Sequence, residues 1–383
     1  MIEEFQQRMK VFQERMRDSG ATLALLTDES SIAYLAGFWG DLGLDFGRPT
    51  FLIVRPDDSP IVLTPLMESE MVGAMTWVDE VLTWEDFGAK SWQKVLSGIL
   101  GENPENIWVE PHLLPAVVRN YLDEQYTGIA LNSISPIIGA MRVIKSEKEI
   151  QVMRQVGQIA QAMMGAAEKS LSVGVPEYES ALALIAAGTR KAASFLSTEG
   201  WDAFISPLIH NLQIMQSGRD TSMVHRRASV KCYQKGDPVY FCFCNMVQFK
   251  QYKLGFDRMF FINEVSAQAA EVQEVAVAAQ QAAIAAIRPG VFAEDVAAAA
   301  NVVYREQGYE TGYRTGRSIG VAYLEAPELK AGDKTVLRAG MTFAVDGGIS
   351  IDGSLAGRIG DSVVVTENGC QYLTEYSREL LVV

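Results

Sequence analysis

Cysteine, histidine and basic charge are all scarce in this chain of 383 residues. The four cysteines are too few for a secreted disulfide scaffold. Cys242 and Cys244 lie at strand spacing, but no second pair of ligands accompanies them, so we expect buried, reduced thiols. A formal net charge of -14 disfavours nucleic acid, because phosphate contacts need clustered Lys and Arg. No apolar run approaches the roughly 20 residues that span a bilayer, so we expect a soluble cytoplasmic protein without nucleic-acid or membrane partners.

The residues that are abundant indicate two domains. Hydrophobic residues make up 48% of the chain, which is enough for a large core, and the length exceeds that of a typical single domain. The segment 136–150 contains the junction, so we divide the chain into residues 1–135 and 136–383. Alternating helix and strand signals predict an α/β (α+β) fold.

The first part begins with apolar residues at helical spacing in positions 3–19, followed by a buried strand. Two further strands are predicted at 51–54 and 60–63, separated by a turn. A loop at 37–49 is rich in glycine and aromatic residues and contains Phe46 and Arg48. From the loop alone, we expect Phe46 to be a packed ring and Arg48 to be a surface cation.

The second part reads as two copies of one unit. Ser146 with Glu149 three residues later is a capping-box pattern, which opens a long helix to about Ser170. Each copy then has a Gly-Val turn, a second helix and strands, so we expect a duplicated α/β/β unit with a cleft between the copies. The acidic residues just after the turns are expected to cap helices: Glu177, Glu179, Glu294 and Asp295.

The stretch 217–260 is the strongest candidate for chemistry. It contains His225, two strand-like segments and the adjacent pair Asp257 and Arg258. Adjacent residues on a strand point to opposite faces, which argues against a simple ion pair between those two side chains.

From residue 145 onwards the layout resembles the pita-bread fold family, which includes prolidases, aminopeptidase P, methionine aminopeptidase and creatinase. Three stretches carry the resemblance in order: GRSIGVAYLEAPEL at 316–329, LRAGMTFAVDGGI at 337–349 and GRIGDSVVVTENG at 357–369. The first 135 residues resemble the smaller domain of creatinase and prolidase members. The resemblance implies a small creatinase-type α/β domain followed by a pita-bread catalytic domain.

The metal ligands of that family are largely replaced. Metal-dependent relatives use two aspartates, one histidine and two glutamates, and the matching positions here hold Cys244, Gly255, Arg317, Asp346 and Gly360. Two hard dications need several oxygen or imidazole ligands, and a guanidinium among them opposes binding by its charge. The resemblance therefore implies no catalytic metal, and no other cofactor is expected.

The chain resembles the metal-free members, creatinase and ectoine hydrolase, more closely. His225 stands where creatinase has its proton-transferring histidine, and Asp257 and Asp346 stand where it has glutamates. Phe46 and Arg48 match the creatinase loop that reaches into the neighbouring subunit's site. The resemblance therefore implies a homodimer whose sites are shared between subunits.

Elementary chemistry assigns a role to each of these residues. A hydrolase without metal needs a base near neutral pH, and His225 suits that task, with His210 as second choice. Asp257 and Asp346 would offset positive charge on the substrate, although Asp257 could instead attack as a nucleophile. The planar guanidiniums of Arg48, Arg317 and, as a lesser candidate, Arg358 suit a substrate carboxylate. The resemblance to the creatinase loop adds Phe46 as a binding candidate.

The sequence thus predicts a metal-independent hydrolase of a linear or cyclic C–N bond, such as a guanidino, amidino or cyclic amidine group, in a small zwitterion. Creatine itself is disfavoured, because both carboxylates are one methylene shorter than the glutamates they replace. Two alternatives stay open. One is a metal-dependent Xaa-Pro dipeptidase or aminopeptidase, and the other is a pita-bread pseudoenzyme that binds peptides or proteins.

Overall fold

The structure is a computed structural model. It describes residues 2–38, 47–86, 90–199, 205–209, 214–223, 225–244, 247–310, 314–351 and 353–383. The chain divides into two compact units, Met1–Met141 and Arg142–Val383; the division at residue 135 stays a prediction. Both units combine helices with a sheet, so the expected mixed α/β architecture is confirmed. Among the described residues, no helix has both the length and the apolar composition needed to cross a lipid bilayer.

The N-terminal unit contains a six-stranded sheet. Its strands are β1 (Ala24–Leu26), β2 (Phe51–Val54), β3 (Ile61–Pro65), β4 (Glu80–Trp84), β5 (Ile107–Val109) and β6 (Leu131–Ser133). Its helices are α1 (Ile2–Ser19), α2 (Glu29–Ala36), α3 (Ser69–Met75), α4 (Trp92–Leu100), α5 (Ala116–Gln125) and α6 (Ser135–Arg142), which runs into the second unit. The strand order is β4-β3-β2-β1-β5-β6. The predicted first helix and both predicted strands are confirmed as α1, β2 and β3. The apolar run FLIV of β2 is fully buried, as expected for a strand covered on both faces.

In the C-terminal unit, the described residues form one large sheet, a two-stranded ribbon and four long helices. The helices are α7 (Glu147–Ser170), α8 (Glu177–Glu199), α9 (Ala267–Ala286) and α10 (Ala293–Glu306). The strands of the large sheet are β7 (Ile214–Ser217), β8 (Pro238–Cys242), β11 (Asp257–Phe261), β12 (Gly316–Ser318), β13 (Glu325–Leu329), β14 (Thr342–Ile351), β15 (Leu355–Thr366), β16 (Gly369–Tyr372) and β17 (Leu381–Val382). The ribbon strands are β9 (Gln248–Phe249) and β10 (Tyr252–Lys253).

The large sheet shows the predicted duplication. Its main path runs β13-β12-β14-β15-β11-β8-β7, so one half supplies β7, β8 and β11, and the other supplies β12 to β15. The halves join where β15 pairs antiparallel with β11, at Asp257 opposite Gly360. This seam lies between two central strands, so side chains from both copies meet there.

The long helix α7 begins where the sequence predicts. Ser146 and Glu149 form the reciprocal capping box, with the Glu149 amide donating to Ser146 Oγ and the Ser146 amide donating to Glu149 Oε2. Gly157, inside this helix, lies against the backbone carbonyl of Leu373, which a Cβ at that position would overlap. Gly165, on the same helix, has open space around its missing Cβ.

Alanine at these two glycines is expected to have opposite effects. Gly157→Ala should lower the free energy of unfolding by about 2–3 kcal/mol, because the backbone of Leu373 must shift. Gly165→Ala should raise it by about 0.5–1 kcal/mol, since alanine favours the helix and nothing is displaced. Urea unfolding of both variants checks the pair. If the free energy of unfolding changed in the same direction in both variants, the close approach of Gly157 to Leu373 would not constrain the fold.

Candidate functional site

A cavity of about 220 Å³ lies in the C-terminal unit beside the seam of the large sheet. Its wall includes five of the residues selected from the sequence: His225, Asp257, Arg317, Asp346 and Arg358. The volume is below the range of about 300–1,000 Å³ typical of drug-sized ligand sites. The cavity therefore suits a molecule smaller than most such ligands.

Asp257 is the buried acid of the cavity, with 3% of its surface exposed. On β11 it lies opposite both Gly360 on β15 and Cys242 on β8. Its Oδ1 atom has no hydrogen-bond partner in the described part of the chain. Burial, and secondarily the charge of Asp346, raise the pKa of Asp257 well above its usual range. The protonated form is therefore favoured, which weakens the expectation that Asp257 attacks as a carboxylate nucleophile.

The Arg258 side chain lies on the face of β11 opposite to that of Asp257. Its Nη2 donates to Asp361 Oδ1 over 2.9 Å, and its Nη1 donates to the carbonyls of Asp257 and Gly360. The expectation that Arg258 does not pair with the Asp257 carboxylate is confirmed. Arg258 is a structural cation that joins β11 to β15 at the seam.

Arg317 is a buried cation in the cavity wall, with 2% of its surface exposed. Its Nη1 donates to Asp346 Oδ2 over 2.7 Å, and its Nη2 donates to Cys244 Sγ over 3.2 Å and to the Tyr323 hydroxyl. Burial alone would lower the pKa of this guanidinium, but the Asp346 carboxylate raises it. Asp346, which the sequence assigned to a cationic substrate group, thus already has a cationic partner.

Of the two cysteines at strand spacing, Cys242 has the predicted burial and Cys244 does not. Cys242 is buried, and burial raises the pKa of its thiol. Cys244 is only partly buried and lines the cavity. A hydrogen bond from Cys242, followed by the charge of Arg317, lowers the pKa of Cys244 to about 6. The expectation of uniformly buried thiols is wrong, because Cys244 lies where β8 ends and opens towards the cavity.

His225 is exposed at the cavity rim, next to a tightly held arginine. Arg226 Nη1 donates to Glu177 Oε2 over 2.8 Å, and the carboxylate also accepts from the Ser229 amide and from the Ser229 and Ser217 hydroxyls. Glu177 lies in the first turn of α8, as expected for an acidic residue at a helix start, and it is also fully buried in this network. Its charge anchors the loop that carries His225.

Glu177→Ala is expected to lower the free energy of unfolding by about 3–5 kcal/mol, because it leaves Arg226 and several buried donors without their shared acceptor. Glu179→Ala, in the same helical turn but exposed, is the matched control and should cost less than about 1 kcal/mol. Chemical denaturation measures both. Equal losses in the two variants would show that the buried network contributes little.

Arg358 borders the cavity without an acidic partner in the described part of the chain. Its Nη2 donates to Ser350 Oγ over 2.8 Å, its Nε is buried without a hydrogen-bond partner, and its guanidinium lies 5.3 Å from the centre of the Tyr240 ring.

Arg48 lies in the N-terminal unit and makes a two-point contact with Asp86, at 2.7 and 3.0 Å. Phe46 and His210 lie outside the described residues.

Comparisons with known proteins agree with the architecture. The model of metallopeptidase family M24 matches residues 151–367, and the model of the creatinase/prolidase N-terminal domain matches residues 8–144. An agropine synthesis cyclase from Rhizobium rhizogenes is 27% identical over 98% of this chain and 96% of its own length. A Xaa-Pro dipeptidase from Lactobacillus delbrueckii subsp. lactis is 26% identical over 97% of each chain. The prolidase structure from Pyrococcus horikoshii OT3 superposes with a TM-score of 0.83 at 23% identity, covering 98% of this chain and 100% of that chain.

These relatives confirm the expected pita-bread family and correct the predicted reaction. Most of the relatives are named dipeptidases or prolidases, so the prediction of a creatinase-like, metal-independent hydrolase of non-peptide C–N bonds is wrong. The residues had suggested acid–base hydrolysis of a small zwitterion. A dipeptide is also a small zwitterion, so the same side chains do not select a guanidino or amidino group.

The residues of the cavity do not fit the pair of hard metal ions that metal-dependent members of the resembled family bind. Gly255 and Gly360 supply no side-chain ligand at two of the five positions. A Cβ at Gly255 would lie 3.0 Å from Arg317 Nη2, and a Cβ at Gly360 would overlap Asp257. Arg317 and Asp257 therefore take up the space beside both glycines, and the fixed positive charge opposes two dications.

Proposed function

The chain belongs to metallopeptidase family M24 and carries the creatinase/prolidase N-terminal domain, and from that premise we propose that it hydrolyses a small dipeptide bound in the cavity of the C-terminal unit. One observation supports this substrate class above the others. Within the described residues, the cavity presents a cation that forms no ion pair, Arg358, together with a buried acid whose Oδ1 has no hydrogen-bond partner, Asp257. A dipeptide offers a carboxylate to the first and an amide nitrogen to the second.

We assign the carboxylate of the dipeptide to Arg358. The other two arginines in the cavity wall already have partners, since Arg314 pairs with Glu328 and Arg317 pairs with Asp346, at 2.8 and 2.7 Å. Among the described residues Arg358 forms no ion pair, so its guanidinium is available to a ligand in the cavity. Its planar fork of donors also suits a carboxylate.

The proposed chemistry uses one acid and one base from the cavity wall. Protonated Asp257 would donate its proton to the departing amide nitrogen as the C–N bond breaks. His225, at the open rim, would accept a proton from the attacking water. Arg317 would stabilise the negative charge that develops on the carbonyl oxygen, because Asp346 and Tyr323 hold its guanidinium in place.

Amino-acid release from a panel of Xaa-Pro and other dipeptides tests this function, with and without added Zn²⁺ or Mn²⁺. We expect the best substrate to be a dipeptide with a free carboxylate. His225→Ala should slow its hydrolysis by about 10²–10⁴-fold, the usual range for a lost acid–base group. His112→Ala, in the N-terminal unit, is the matched control and should leave the rate unchanged. No release from any dipeptide under either condition would refute the function.

A ring-closing reaction is the second candidate, because the relative that matches 98% of the chain is named a synthesis cyclase. The same acid and base could join an internal nucleophile to a carboxyl carbon and release water. Mass spectrometry of the product separates the two reactions. Hydrolysis adds one water to the substrate, whereas ring closure removes one.

We also propose a homodimer in which Arg48 serves the partner's cavity, as the resemblance implies. Arg48 would have to exchange its contact with Asp86 for the substrate. Mixed subunits of Arg48→Ala and His225→Ala should recover about a quarter to a half of wild-type activity if each intact site needs one residue from each subunit. Mixtures that exchange subunits and stay inactive would refute the shared site.

A cytoplasmic location is proposed from the four thiols, all of which are free. Reduced thiols suit a compartment that keeps disulfides from forming. Fractionation of cells that express the full chain checks this location.

A further inference from the structure

Three potential metal ligands converge in the cavity wall. The Sγ atoms of Cys242 and Cys244 and a carboxylate oxygen of Asp257 all lie within 4.8 Å of one another. A tetrahedral ion with bonds of about 2.0–2.3 Å holds its ligand atoms roughly 3.3–3.8 Å apart. Small side-chain rotations would therefore bring the three atoms to bonding distance.

The strand geometry fixes this convergence. Cys242 ends β8, and Cys244 follows two residues later, beyond the strand, with its Sγ close to that of Cys242. Asp257, the first residue of β11, pairs directly opposite Cys242 in the antiparallel register. The end of β8 and its register partner on β11 thus bring two sulfurs and one carboxylate together.

An unsatisfied atom gives a second, independent indication of a ligand. Oδ1 of Asp257 is buried without a hydrogen-bond partner in the described part of the chain, and such atoms are costly unless something binds them. A cation beside this carboxylate would remove the cost. It would also replace the proton that Asp257 donates in the proposed hydrolysis, so the two roles belong to different states of the site. The two sulfurs are the nearest soft donors that could hold such a cation.

We propose that Cys242, Cys244 and Asp257 bind one soft or borderline divalent cation, of the class of Zn²⁺, Co²⁺ or Cd²⁺. Two thiolates and one carboxylate favour these ions over Mg²⁺ or Mn²⁺, which prefer oxygen ligands. This site would hold one ion rather than two, and two of its three ligands are sulfur atoms. It therefore differs from the site for two oxygen-bound ions that the cavity does not fit. Three protein ligands also leave one coordination position free on the side of the cavity.

Arg317 fits this arrangement as a neighbour of the ion. Its Nη2 already donates to Cys244 Sγ over 3.2 Å, and such N–H donors can stay in place when a thiolate binds a metal. The guanidinium would offset part of the negative charge of two thiolates and a carboxylate. Its contacts with Asp346 and Tyr323 keep it directed at the sulfur.

Cobalt titration of the full, metal-stripped chain under a thiol-free reductant tests the site without any substrate, so its outcome is separate from that of the dipeptide assay. We expect one Co²⁺ per chain and strong near-ultraviolet absorption from sulfur-to-cobalt charge transfer. Cys244→Ser should abolish most of this absorption and weaken the affinity for Co²⁺ by at least about 100-fold. Loss of a residue that only hydrogen-bonds to a metal ligand costs up to about 100-fold, and loss of the ligand itself should cost no less. Asp257→Asn should weaken affinity while keeping the thiolate absorption.

The other two thiols supply matched controls. Cys232→Ser and Cys370→Ser alter cysteines outside the cavity wall and should leave stoichiometry and spectrum unchanged. Circular dichroism confirms that each variant is folded, and Cys244 is the safer of the two strand positions because it is partly exposed. The proposal is overturned if the wild-type chain shows no thiolate absorption, or if Cys244→Ser retains it. Tighter binding of Mn²⁺ than of Co²⁺ would also overturn it.

Discussion

Replacing Arg317 with methionine is expected to lower the free energy of unfolding by about 3 kcal/mol, at the low end of the cost of breaking a buried ion pair. Arg317 has 2% of its surface exposed and holds Asp346, Cys244 and Tyr323 through its terminal nitrogens. Its removal leaves the Asp346 carboxylate without its cation. The Asp346 side chain is about one-third exposed, so water offsets part of the loss.

Two further variants separate the effect of the buried pair from a general effect of losing charge. Arg314→Met breaks the more exposed pair with Glu328 and should cost about 0–1 kcal/mol. The double variant Arg317→Met with Asp346→Leu should recover much of the loss, because an apolar pair can replace a buried ion pair at little cost. Denaturant unfolding measures all three. An Arg317→Met variant no less stable than Arg314→Met would contradict the assigned role of the pair.

Asp257→Asn is expected to reduce dipeptide turnover by about 10²–10⁴-fold, because the amide cannot donate the proton that the departing nitrogen requires. Burial raises the pKa of Asp257, so the wild-type acid stays protonated to a higher pH than an ordinary aspartic acid. Wild-type turnover should therefore fall as pH rises through that raised value. The residual turnover of the Asn variant should not show this fall. Initial rates across the pH range test both statements.

Asp257→Asn, which lowers turnover, should raise the stability of the fold at alkaline pH. The folded state binds more protons than the unfolded state between the unfolded pKa of about 3.9 and the raised folded pKa of Asp257. Wild-type stability therefore declines as pH rises through this window, whereas the uncharged amide loses nothing. Asp257→Asn should exceed the wild type in melting temperature at alkaline pH and converge with it near pH 4. Asp295→Asn, at an exposed helix start, is the matched control. A pH-independent difference would count against a protonated Asp257.

Much of the fold follows from local signals in the sequence. The capping box at Ser146 and Glu149 marks the start of α7, and apolar periodicity marks α1. The duplicated layout also follows from the order of helix and strand signals, because each copy repeats the same pattern. The close approach of Gly157 to Leu373 could not be predicted, since it joins positions that are far apart in sequence.

Part of the cavity lining was predictable, but its pairings were not. The motifs selected five side chains that share one cavity. They did not reveal that Arg317 binds Asp346 or that Cys244 opens to the cavity, because both depend on how β12, β14 and β8 place their side chains. The two-residue spacing of Cys242 and Cys244 was the one feature of the sequence that indicated a role for the two thiols. The spacing does not show that Asp257 lies beside them, because that depends on the register between β8 and β11.

Calorimetric binding of a dipeptide and of its C-terminal amide to Asp257→Asn tests the central claim most directly, because that variant should bind the ligand but hydrolyse it only slowly. If Arg358 receives the carboxylate, the acid should bind about 10–100-fold more tightly than the amide, in keeping with a charged hydrogen bond. Adding Arg358→Gln should remove the difference. Equal affinities of acid and amide, or a difference that survives Arg358→Gln, would contradict dipeptide recognition in this cavity.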